Sequence, residues 1–202
     1  MKTRTRTAFT LIELLIVVAI IGVLAAIAVP NFLNAQTRAK IARVMGDHQA
    51  VGSALELYQI DQNGFPFPRR QYHYIEYVNE LTTPVAYTSQ IALPDPFRPD
   101  AQKNWYPSDQ RTVLSYQYIC YGGLWTTYSN VRAHAAAYNI NIDSLKGYSL
   151  MSHGPDKVTQ GLEWLPIQGN INNMYSPSNG LYSLGDIARF GGNVQARTVV
   201  GG

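Results

Sequence analysis

The sequence predicts an α+β protein, in which one long N-terminal helix precedes a small antiparallel sheet. Three observations carry this expectation. Residues 9–29 (FTLIELLIVVAIIGVLAAIAV) are apolar apart from one charged residue, Glu13. Ile41, Val44, His48, Val51, Leu55 and Tyr58 then recur at steps of three and four, the spacing of one helical face. Beyond residue 64 helical periodicity fades, turn residues become frequent, and short apolar-aromatic runs take over.

The first element is a basic leader. The chain of 202 residues carries 16 Lys and Arg against 13 Asp and Glu, a formal net charge of +3. Lys2, Arg4 and Arg6 supply that whole excess, so residues 9–202 are formally neutral. Binding of nucleic acid by bulk electrostatics is therefore not expected. The single cysteine, Cys120, excludes an intramolecular disulfide and a cysteine-based zinc site.

The second element is the apolar run. At about 1.5 Å per residue it extends roughly 31 Å, enough to cross the hydrocarbon core of a bilayer. The basic cluster before it would hold the N-terminus in the cytoplasm and place the rest outside. A secretory signal peptide cut after Ala26-Ile27-Ala28 and a plain anchor both fit the hydropathy. Neither gives Glu13 a purpose, although a carboxylate in such a helix costs about 3 kcal/mol on insertion scales. No Lys, Arg or His lies in the segment, so the partner of Glu13 is expected from elsewhere.

Ala8-Phe9-Thr10-Leu11-Ile12-Glu13-Leu14 resembles the processing motif of type IV pilins and type II secretion pseudopilins. The resemblance implies a leader at 1–8, cut by a prepilin peptidase between Ala8 and Phe9, with N-methylation of Phe9. Ala8 stands where the family usually has Gly. It also implies that the ammonium on mature Phe9 meets the Glu13 carboxylate of a neighbouring subunit, fixing the axial register of a homopolymer. Such a pair in a low-dielectric setting offsets much of the desolvation of both groups.

The helix is expected from residue 9 to about 60, followed by a stop at Asp61-Gln62-Asn63-Gly64 and Pro66. Residues 9–30 form its membrane or filament-core half, and 31–62 its amphipathic half. Gly22 and Pro30 are its weak points, because Pro30 cannot donate to the carbonyl of Ala26. They mark either a simple kink or, as the resemblance implies, a stretch that melts on assembly. His48, on the apolar stripe, reads as a packed, hydrogen-bonded histidine rather than a ligand.

Residues 63–202 form the globular α+β head, and the resemblance implies a pilin-like fold. Strands are expected at 113–121, 148–152 and 180–184, with a possible helix at 128–138 inside an excursion over 122–147. Residues 58–66, Asp95-Pro96-Phe97 with Tyr116-Gln117-Tyr118, and 148–156 resemble, in order, segments of the major pseudopilins, and 182–192 resembles the tails of bacterial prepilin-like proteins.

Major pseudopilins often bind calcium near the C-terminus, which would make Asp156 and Asp186 the hard ligands, with Ser152, Asn170 and Ser183 as neutral helpers. Calcium needs six to eight oxygens, and the alternative for both aspartates is turn formation beside glycine. No enzyme motif of the Gly-x-Ser-x-Gly, His-Glu-x-x-His or Gly-Lys-Ser/Thr kind is present. Cys120 reads as an inert buried thiol, and His73, His134 and His153 are scattered. The 14 tyrosines suit either an adhesive surface or a Tyr-rich core.

The expectation is thus a non-enzymatic filament subunit, closest to the major pseudopilins of type II secretion. Its partners would be its own copies, the prepilin peptidase and an inner-membrane assembly platform. It would sit in the inner membrane before assembly, and in a periplasmic pseudopilus or surface filament afterwards. The alternatives are a type IV pilus or other surface filament for adhesion or motility, and a secreted head released after Ala28.

Overall fold

A computed structural model of the chain describes residues 9–68, 74–75, 78–98, 115–121, 141, 144–158, 174–182 and 185–194. The chain divides into two compact units, Met1–Ala39 and Lys40–Gly202. The architecture is α+β, as expected: the described residues form one α-helix, α1 (Leu11–Gln62), and three strands, β1 (Gln117–Tyr121), β2 (Gly147–Ser152) and β3 (Ile187–Gly192).

Helix α1 is unbroken at Gly22 and Pro30. It ends where the turn residues foretold, with Asn63 in the left-handed conformation (φ 54°) that commonly closes a helix. Within the first unit, every residue from 9 to 36 is exposed. Within the second unit, Ile41, Val44, His48, Val51, Gly52, Ala54 and Leu55 are buried, which is the expected stripe with Gly52 and Ala54 added. Tyr58 packs partly buried beside it.

The sheet is antiparallel in the order β1-β2-β3, with Cys120 opposite Tyr148 and Ser152 opposite Ile187. Alternation along the strands sorts the side chains onto two faces. Tyr116, Tyr118, Cys120, Tyr148 and Leu150 join the helical stripe in the main core. Ile119, Tyr121 and Met151 meet Leu145 and Val194 in a smaller cluster. β2 is buried along its whole length because both faces are covered.

The first two expected strands correspond to β1 and β2, with 113–114 outside the described residues. The third expectation is corrected. Residues 180–182 form a turn after a 3-10 segment at Pro177–Asn179, and Gly180 has φ 103°, which a strand residue does not adopt. Residues 183–184 lie outside the described residues, and the third strand is β3. The excursion at 122–140 and 142–143, with its possible helix, also lies outside them.

Tyr148 shows how tightly the sheet meets the helix. Its ring stands edge-on to Phe65 at 5.1 Å, and its hydroxyl donates to Glu56 Oε1 at 3.3 Å. Gly191 on β3 lets the ring lie against the backbone, and Gly52 on α1 makes room for its hydroxyl and for Arg189. Arg189 in turn donates to Gln49 Oε1 at 2.6 Å and Glu56 Oε1 at 3.4 Å, fastening β3 to the helix. A Cβ at Gly191 would collide with the Tyr148 ring, which is fully buried and cannot swing away. Gly191→Ala should therefore destabilise the head by about 2 kcal/mol through overpacking. Urea unfolding of the full chain, followed by tyrosine near-UV circular dichroism, reads this directly. Gly22→Ala, where no atom lies within 4 Å of the added Cβ, should leave the transition unmoved.

Candidate assembly site

The N-terminal site is built by two residues at the start of α1. Thr10 immediately precedes the first helical residue, and Glu13 lies three positions on. The Glu13 carboxylate accepts the Thr10 N–H at 2.9 Å and the Thr10 hydroxyl at 2.7 Å. In return, the Glu13 N–H donates to Thr10 Oγ1 at 3.3 Å. This reciprocal capping box satisfies donors that a helix start otherwise leaves open. It corrects the expectation that Glu13 finds no partner in its own segment. The partner is neutral rather than cationic, and Thr-x-x-Glu before an apolar run is the signature of such a box.

Phe9 is 74% exposed next to this box. Ala8, Lys2, Arg4 and Arg6 lie outside the described residues. Gly22 and Pro30 sit within the uncovered stretch of α1. By length and composition, α1 is the one helix among the described residues able to cross a membrane.

Of the two carboxylates named for calcium, both lie among the described residues. Asp156 accepts the Val158 N–H at 3.2 Å and the Gly185 N–H at 3.2 Å, so each of its oxygens braces a turn. Asp186 is buried, and its backbone carbonyl accepts the Tyr175 N–H at 2.9 Å. Ser152 is committed elsewhere, and Asn170 and Ser183 lie outside the described residues. No group of three or more His, Cys, Asp or Glu suited to a metal occurs among the described residues.

Ser152 serves a hub that the sequence did not announce, centred on Asp95. This carboxylate, 6% exposed, accepts the Ser152 hydroxyl at 2.7 Å, the Phe97 N–H at 2.9 Å and the His153 N–H at 3.1 Å. The His153 Nδ1 stands 3.4 Å away. Burial pushes the Asp95 carboxyl up, but the His153 ring, the Phe97 N–H, the Ser152 hydroxyl and the His153 N–H together hold it below its usual value. The hub joins the loop before β1 to the end of β2. The sequence singles out Asp95-Pro96-Phe97 by resemblance, not by the burial of its carboxylate.

The remaining candidates are structural. Burial pushes the Cys120 thiol up to about 11, so it is a protonated, inert thiol at neutral pH. Of the nine tyrosines among the described residues, only Tyr182 is exposed. Tyr116, Tyr118, Tyr121 and Tyr148 are fully buried, and their hydroxyls bond Asp47, the Pro66 carbonyl, Ser149 and Glu56. These rings fill the core. His48 is buried as expected, yet its Nε2 makes no hydrogen bond. His73 and His134 lie outside the described residues.

Comparison with known proteins agrees with the geometry of the N-terminus. The prokaryotic N-terminal methylation motif matches residues 3–29. Type II secretion system core protein G of Pseudomonas aeruginosa is 39% identical over 66 residues, covering 33% of this chain and 46% of that protein. The core protein G of Aeromonas hydrophila is 35% identical over 66 residues, again 33% and 46%. Type IV major fimbrial protein FimA of Dichelobacter nodosus is 51% identical over 53 residues, or 26% of this chain and 34% of that protein. The chain thus spans less than half the length of these relatives. No solved structure matches it significantly. The similarity to pilins and pseudopilins rests on the N-terminal third.

Proposed function

We propose that this chain is a structural subunit that polymerises into a pilus-like filament, as a major-pseudopilin-like component of a type II secretion system. One observation carries the reading: a methylation-motif helix whose residues 9–36 are all exposed, with a lone carboxylate at its start. An apolar surface of that extent needs cover. Lipid supplies it before assembly, and the corresponding helices of other copies supply it afterwards. The transfer costs little hydrophobic energy, because lipid and helix are alike apolar. What it changes is the electrostatic partner of Glu13, from Thr10 to the Phe9 ammonium of a neighbour. Gly22 and Pro30 mark the stretch where the helix yields during that transfer.

Processing by prepilin peptidase between Ala8 and Phe9 and docking on an inner-membrane platform belong to the same proposal. The match to the fimbrial protein supports a second destination, a surface pilus built on the same contacts. Mass spectrometry of the mature N-terminus tests the shared part. The chain should begin with N-methylated Phe9, whereas a start at Val29 would leave only a secreted head and remove the filament. Mechanical shearing of cells then separates the two destinations, because only surface filaments are released as long fibres.

A further inference from the structure

His48 occupies an unusual place for an imidazole. It lies on the buried stripe of α1 with 3% exposure, and its ring stands edge-on to Tyr116 with centroids 4.8 Å apart. Its Nε2 has no hydrogen-bond partner. A neutral ring tolerates this, since one lone pair goes unused. A protonated ring carries a second N–H and a full charge into the seam, and each needs an acceptor.

The acceptors within the seam are committed. On α1 itself, Asp47 receives the Tyr116 hydroxyl at 2.7 Å and pairs with Arg43 at 3.6 Å. On the loop before β1, Asp95 is filled by Ser152, Phe97 and His153. On β3, Arg189 opposes a further positive charge. We propose that His48 is an acid-sensitive latch, holding the second half of α1 onto the head when neutral and releasing that seam when protonated. An imidazolium there competes for the acceptors of the Tyr116–Asp47 bond and the Asp95 hub, and loss of either loosens α1 from the segments it packs against.

Burial lowers the affinity of His48 for a proton most strongly, the Asp95 charge raises it and Arg189 lowers it, with a net value of about 4 against 6.5 for a free histidine. The sign follows: the open state binds the proton more tightly, so opening becomes easier as pH falls from about 6.5 towards 4. If the head lies outside the cytoplasm, as the proposed function has it, the latch registers the acidity of the surroundings. The latch itself stands without that reading.

The test is amide hydrogen exchange across residues 44–55 in the full chain, held in detergent micelles. Between pH 7 and 4.5, after correction for intrinsic rates, the opening constant should rise on the order of fiftyfold in the wild type. His48→Phe keeps an aromatic edge against Tyr116, and its opening constant should change less than about threefold. A wild-type response that is flat, or one that survives in His48→Phe, overturns the latch. Should His48→Phe fail to fold, the His48 ring proton resonance in the wild type decides. A midpoint below about 5 with the head intact supports the latch; one near 6.5 refutes it.

Discussion

Glu13→Ala is expected to abolish filament assembly while leaving the head folded. The substitution removes the capping box with Thr10, which costs about 1 kcal/mol at the helix start. That site lies in the first unit, and the core of the head draws its helical residues from Ile41 onward. The assembled state loses far more. A mature Phe9 ammonium among apolar helices and without a carboxylate costs several kcal/mol in every subunit. Because the loss recurs at each addition, growth stops rather than slows. Glu13→Gln divides the two roles of the side chain, since glutamine can still serve in a capping box but cannot neutralise an ammonium. Sheared or cross-linked filaments should be missing from both variants, and their near-UV circular dichroism should match the wild type. If Glu13→Gln assembles normally, the box and not the charge is what assembly requires, and the register contact proposed above is lost with it.

What the sequence showed and what it hid have distinct physical origins. Features set by local chemistry were legible. The stripe Ile41, Val44, His48, Val51 and Leu55 is buried because a 3.6-residue period leaves those positions on one side of α1. The stop at Asn63 and the strands at Gln117–Tyr121 and Gly147–Ser152 follow from turn chemistry and β-branched or aromatic runs. Features set by distant partners were hidden. β3 reads IARFGG, weak in strand formers, and its place is fixed by pairing with β2 and by the room Gly191 leaves for Tyr148. The Asp95 hub draws on residues 57 and 58 positions further along, so no short window of sequence could disclose it. The Thr10–Glu13 box is the exception: its signal is local, a hydrogen-bonding pattern carried by a residue whose charge points to a different partner.

Asp95→Ala should destabilise the head by about 3 kcal/mol, the largest loss expected from one side chain outside the packed apolar core. The substitution removes little apolar volume. It strands the Ser152 hydroxyl and the N–H groups of Phe97 and His153, all donating to a carboxylate that is 6% exposed. A buried donor without an acceptor costs about 1–3 kcal/mol, and partial entry of water keeps three such costs from adding in full. Asp95→Asn retains an oxygen acceptor and should lose roughly half as much. The pH dependence carries an independent signature. The folded Asp95 carboxyl lies below its ordinary value of 3.8, so its stabilisation is present above that pH and fades as pH falls further, towards the lowered folded value. The His48 contribution fades in a different window, between about 6.5 and 4. Urea midpoints measured across pH should therefore show two acid steps in the wild type. Asp95→Ala should erase the lower one. Because the Asp95 charge favours protonated His48, the same variant should also carry the end of the upper step to lower pH. A variant that keeps both steps at wild-type positions would show that the carboxylate, despite its four hydrogen-bonding neighbours, holds nothing together.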